Sequence, residues 1–82
     1  MRDIRITNHF ITRYAERILG KQVPDTIGMS YRKKIMKDMS SRILDREKNI
    51  IKMFKHHSNA VKVPFSKTHE IVMQNQSLIT IY

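Results

Sequence analysis

The stretch from Asn8 to Gly20 carries the clearest chemical arrangement in the chain. His9, Arg13 and Arg17 follow one another at steps of four, so at about 100° per residue they line up as a ridge on one side of a helix. One titratable imidazole and two permanent cations would then share a line. Guanidinium forks grip phosphodiester oxygens, and an imidazole beside them donates or accepts a proton near neutral pH. The same residues also fit an ordinary solvated helix face, with Glu16 pairing a neighbouring cation and His9 idle in the first turn. The opposite arc of this helix is apolar, through Phe10, Ile11, Tyr14, Ala15, Ile18 and Leu19. Asn8 is the expected N-cap and Gly20 the expected left-handed residue at the end.

Charge narrows the partners. Sixteen Lys and Arg stand against seven Asp and Glu in 82 residues, a formal net charge of +9. An imbalance of this size in so short a chain points first to nucleic acid, then to an acidic protein, and only third to an anionic membrane. No apolar run approaches the roughly 20 residues of a spanning helix, and the N-terminus has no signal-peptide apolar region. A cytoplasmic protein is expected. With no cysteine there is no disulfide or thiolate site, and His9, His56, His57 and His69 lack the spacing of zinc motifs. Neither a metal nor a cofactor is expected.

The elements that must hold this ridge suit a single domain over 1–82 with a modest core. Arg2 to Thr7 alternate charged and apolar residues, as a short edge strand or extended lead-in would. Lys21 to Gly28 contain Pro24 and Gly28 and read as a loop. Ser30 is the expected cap of a second helix, with Tyr31, Ile35, Met36, Met39, Ile43 and Leu44 at helical spacing. The pattern resumes at Ile50, Met53 and Phe54 across the polar run Asp45 to Asn49, so either one long helix runs to about Lys55 or it breaks in this run and a shorter element follows; a helix with room for a break there is the favoured reading. Met36, Met39 and Met53 fit core filling better than an adaptable contact surface. Between Arg32 and Lys55 there are nine Lys or Arg against three acids, making Arg32, Lys33, Lys34 and Lys37 candidate phosphate contacts.

After His56-His57-Ser58-Asn59 the periodicity changes from helical to alternating. Val61, Val63 and Phe65 share one face of a strand with Lys62 on the other, and Pro64 marks an edge or an end. Glu70 to Gln74 and Leu78 to Tyr82 read as two further strands joined by Asn75-Gln76-Ser77. The fold class is therefore α+β, with two or three N-terminal helices packed on a small C-terminal antiparallel sheet.

The pattern His-x-x-x-Arg-Tyr-x-x-Arg at His9, Arg13, Tyr14 and Arg17, with a final strand ending Ile79-Thr80-Ile81-Tyr82, resembles the RelE-like and BrnT-like small toxins of phages and plasmids. The resemblance covers roughly the first 20 and last 20 residues. It implies a helix and a later sheet that together form an RNA-binding or RNA-cleaving surface, usually without a metal, and carries over to His9, Arg13, Arg17 and Tyr82. Metal-independent endoribonuclease chemistry needs a base for the 2′-hydroxyl, an acid for the leaving 5′-oxygen and cations around the phosphate. His9 would serve as base or acid, Arg13 and Arg17 as the clamp, and His69 or Tyr82 as the second proton-transfer group. Lys67, beside His69, would help to bind phosphate, although His69 also fits a surface histidine leading into a strand.

Two other functions fit the same residues. One is a non-catalytic, phage-type regulator that binds nucleic acid through the basic helix and the arginine ridge. The other is an inhibitor of an acidic host protein, the place an antitoxin would take in the toxin reading. No helix-turn-helix, zinc-finger or RNA-recognition signature is present, so no sequence-specific readout is expected; RNA ahead of DNA is what the toxin resemblance implies. All three rest on the expectation that the cations gather into one surface with His9 at its margin.

Overall fold

The computed structural model describes residues 4–82, so Arg2 and Asp3 of the expected N-terminal strand lie outside the described residues. Strand β1 is Arg5–Ile6, followed by helix α1 (Asn8–Tyr14), a π-helical segment (Ala15–Leu19), α2 (Met29–Arg42), α3 (Asp45–Phe54), and strands β2 (Val61–Phe65), β3 (His69–Gln74) and β4 (Ser77–Ile81). The sheet order is β1-β4-β3-β2. The three C-terminal strands are antiparallel, and β1 adds beside β4 in parallel. The class is α+β, with a mixed sheet in place of the purely antiparallel one expected. No helix among the described residues is long and apolar enough to cross a membrane.

The first helix starts one residue earlier than Asn8 would set it. Thr7, in extended conformation, accepts from the Phe10 N–H, and its hydroxyl donates to the Leu78 carbonyl at 2.9 Å. One threonine thus caps α1 and ties it to β4. Asn8 lies inside the helix and accepts from Arg32. The second helix likewise begins after Gly28, with no side-chain cap, and Ser30 lies within it. Gly20 ends the π segment at φ 64°, the left-handed cap expected there.

The helical break falls at Ile43–Leu44, just before the polar run and not within it. The polar run is the start of α3. Glu47 reaches back to accept the Leu44 N–H at 3.0 Å, and acidic residues in a first turn favour a helix N-terminus. The methionines divide between core and surface. Met39 is buried, whereas Met36 and Met53 are 39% and 74% exposed, so the core reading holds for Met39 alone.

Phe10, Ile11 and Tyr14 of α1, Ile35 and Met39 of α2 and Ile51 of α3 are buried against the inward residues of β2, β3 and β4. Complete burial of such a side chain contributes about 1.5–3 kcal/mol. Tyr14 links two further rings, with centroids 5.9 Å from Phe10 and 5.8 Å from Phe65. A bulge at Val72/Met73 keeps both Leu78 and Ile81 in the core. The strand period then places Lys62, Pro64, Glu70, Val72, Thr80 and Tyr82 on the opposite face of the sheet.

Candidate nucleic-acid interface

That opposite face carries a groove of about 790 Å3 lined by Lys62, Pro64, Lys67, Thr68, His69, Glu70, Val72 and Tyr82. Two lysines and one glutamate give it a positive balance. Paired backbone hydrogen bonds between Glu70 and Tyr82, 2.9 and 2.8 Å long, carry the β3–β4 pairing to the last residue and fix Tyr82 at the groove's end. Tyr82 as a residue is 60% exposed. Thr68 Oγ1 and His69 Nδ1 share a hydrogen bond of 2.7 Å, which orients the imidazole and leaves Nε2 as its atom for proton transfer.

Arg17 reaches the same end of the groove. Its guanidinium donates to the Ile81 carbonyl and lies over the Tyr82 ring, 5.1 Å from the centroid, within cation–π range. The π-helical segment accounts for this position. An i→i+5 turn inserts one residue and displaces the side chains after it by about 100° from α-helical phase. Arg17 therefore leaves the expected ridge and turns to the sheet. Arg13 is held by Glu16 at 2.8 Å, and His9 is exposed in the first turn of α1, outside the groove. The three do not form one phosphate-facing line.

Of the expected proton-transfer residues, His69 and Tyr82 line the same groove as Lys67, Arg17 lies over Tyr82 at its end, and His9 lies elsewhere. Arg32 spends its guanidinium on the Ile6 carbonyl and Asn8 Oδ1, joining α2 to the start of α1. Lys33, Lys34 and Lys37 are exposed on α2. Lys34 and Lys37 line a second hollow of about 440 Å3 with Leu19, Lys21, Asp38 and Ser41. Its acid is already committed: Asp38 accepts from the Tyr14 hydroxyl at 2.6 Å and from Arg42 at 2.8 Å. Burial pushes the Asp38 carboxyl up, but these two donors bring it below its ordinary range. Burial, with Asp38 as acceptor, raises the Tyr14 phenol well above its usual value. Lys62 and Lys67 line the groove and Lys21, Lys34 and Lys37 the second hollow, so the cations do not gather into the one surface expected.

Sequence reasoning passed over Lys62, Glu70 and Lys21 as site residues. Lys62 was legible as the outward residue of an alternating strand, and the same alternation leads across to Glu70. Lys21 carried no such signal, because its place follows from the π turn, where its N–H bonds to the Ala15 carbonyl at 2.9 Å. Among the described residues no three His, Cys, Asp or Glu gather as metal ligands would.

The turn that carries Lys67 and His69 has an unusual backbone. Ser66 and Lys67 both adopt positive φ, 53° and 65°, without a glycine. Their N–H groups donate to the two carboxylate oxygens of Glu47, at 2.7 Å to Oε1 and 3.2 Å to Oε2. Burial pushes the Glu47 carboxyl up, and the three backbone donors, Leu44 among them, bring it below its ordinary value. Compared with protein-family models, curated proteins and solved structures, the chain matches none of them.

Proposed function

We propose that this chain is a small cytoplasmic nucleic-acid-binding protein, directed to RNA ahead of DNA, that seats the strand in the groove on the open face of its sheet. The observation that carries the reading is the convergence of Lys62, Lys67, His69 and Tyr82 in one groove, with Arg17 over the tyrosine ring, in a chain of net charge +9. The lysines meet phosphates, and the exposed ring, with Arg17 stacked on it, offers a π face to a base. The sharper form, a toxin-like endoribonuclease that works without a metal, draws on His69 and Tyr82 as the proton-transfer pair beside those cations. The position of His9 outside the groove favours the non-catalytic form, a regulator that binds without cleaving. An acidic protein partner would use the same positive balance.

One experiment separates these readings. Purified protein is incubated with labelled RNA and DNA oligonucleotides in EDTA, alongside His69→Ala, and both binding and cleavage are followed. Binding of RNA with a steep salt dependence, weaker and with a shallower salt slope in Lys62→Gln/Lys67→Gln, is expected. Cleavage that disappears in His69→Ala would select the nuclease form. Binding without cleavage by either protein would leave the regulator. A salt slope near zero would point to a protein partner.

A further inference from the structure

Glu47 is fully buried and charged, beside a core cluster of apolar side chains, and it meets the groove through the backbone N–H of Lys67. It stands 19 and 20 residues before the turn whose two N–H groups it accepts. A β-branched or ordinary L residue at positive φ is strained, and two in succession normally call for Asn or Gly. Ser66 and Lys67 take that conformation with a carboxylate accepting both N–H groups from outside the turn, while its third bond, from Leu44, anchors it to the start of α3. Charge-assisted bonds to buried carboxylates are stronger than neutral ones. The turn so held leads directly into Thr68 and His69, and all three of Lys67, Thr68 and His69 line the groove.

We propose that Glu47 is a positioning residue for the groove: its carboxylate fixes the β2–β3 turn in the backbone geometry that presents Lys67 and His69 to an RNA phosphate. The inference rests on the RNA reading above for its ligand, but its geometric content is separate. Replacement by glutamine keeps shape and one acceptor oxygen, and sets an NH2 group against a backbone N–H. One end of the turn then loses its partner, and Lys67 and His69 lose their common frame. A residue that contributed to stability alone would leave affinity unchanged wherever the variant is fully folded.

The test compares wild type, Glu47→Gln and the double variant Glu47→Gln/Ser66→Gly by anisotropy with a cleavage-resistant single-stranded oligonucleotide of 2′-O-methyl RNA. Binding is read at a temperature where circular dichroism finds each protein folded. Glu47→Gln is expected to bind roughly tenfold more weakly, the scale of one lost buried charged hydrogen bond. The double variant is expected to recover most of that loss, since glycine takes positive φ at Ser66 without strain. Equal binding by folded Glu47→Gln, or a double variant that regains its melting temperature but not its affinity, would overturn the proposal. Amide hydrogen exchange in wild type decides the case if Glu47→Gln does not fold: protected Ser66 and Lys67 amides are expected, and freely exchanging ones would overturn it. A wild type that binds no RNA sinks the RNA reading alone, and the positioning role then stands or falls on that exchange measurement.

Discussion

At the scale of single residues, Asp38 joins two structures that differ in purpose. It closes a chain of hydrogen bonds from the buried Tyr14 hydroxyl to the Arg42 guanidinium, and it sits in the wall of the lysine-lined hollow. Its carboxyl is held low and the Tyr14 phenol high, so the pair contributes to stability with opposite pH limits. A lowered carboxyl adds stability above the ordinary carboxylate value of about 4 that is lost as pH falls through the folded value. A raised phenol adds stability below its ordinary value of about 10 that is lost as pH rises through the folded value. Urea midpoints of wild type are therefore expected to form a plateau that declines on both sides. Tyr14→Phe is expected to lose about 1–2 kcal/mol at neutral pH and to flatten the alkaline decline. Asp38→Asn is expected to shrink the acid one, leaving the part that the lowered Glu47 carboxyl contributes. An alkaline decline of full size in Tyr14→Phe would show that the phenol does not cause it.

At the scale of elements, the lesson lies in the first helix and in the two tight turns. The apolar arc of Phe10, Ile11 and Tyr14 was legible because α-helical periodicity holds through Tyr14, and all three are buried. Arg17 was not, because a template of constant pitch cannot register the extra residue of the π turn, and the ridge that linked Arg17 to His9 existed only in that template. β2 and β3 alternate cleanly, and their inward residues are the buried ones, whereas the bulge opposite Val72/Met73 shifts the alternation within β4. The turn at Ser66–Lys67 lacked glycine as a local signal, since what holds it comes from Glu47 on another element. At Gly20 the local signal was sufficient, and it can be tested in isolation. A Cβ there would meet nothing within 4 Å, so any cost of Gly20→Ala comes from backbone conformation at φ 64°. Gly20→Ala is expected to destabilise by about 1 kcal/mol, and Gly20→Asn by much less, since asparagine tolerates the left-handed region. Equal losses in urea denaturation would mean that the π segment does not end as the structure has it.

At the scale of the molecule, a net charge of +9 says little until the cations are sorted by what they already hold. Arg13 and Arg42 are committed to carboxylates, and Arg32 to a carbonyl and an amide oxygen. Lys21, Lys34 and Lys37 in one hollow and Lys62 and Lys67 in the groove make no ion pair among the described residues. Charge read from composition treats these two groups alike, whereas a polyanion meets only the second without breaking a contact inside the fold. Counterion release makes the difference measurable, because each phosphate contact on a single strand adds about 0.7 to the slope of log affinity against log salt. Lys62→Gln/Lys67→Gln is expected to lower that slope by about 1.4 while leaving the urea midpoint in place. Arg32→Gln is expected to do the reverse, lowering the midpoint as the tie between α2 and the start of α1 is lost, with the slope unchanged. If the arginine variant changed the slope as the lysine pair is expected to, the division between cations that build the fold and cations that meet the ligand would fail, and with it the choice of the groove as the place where RNA sits.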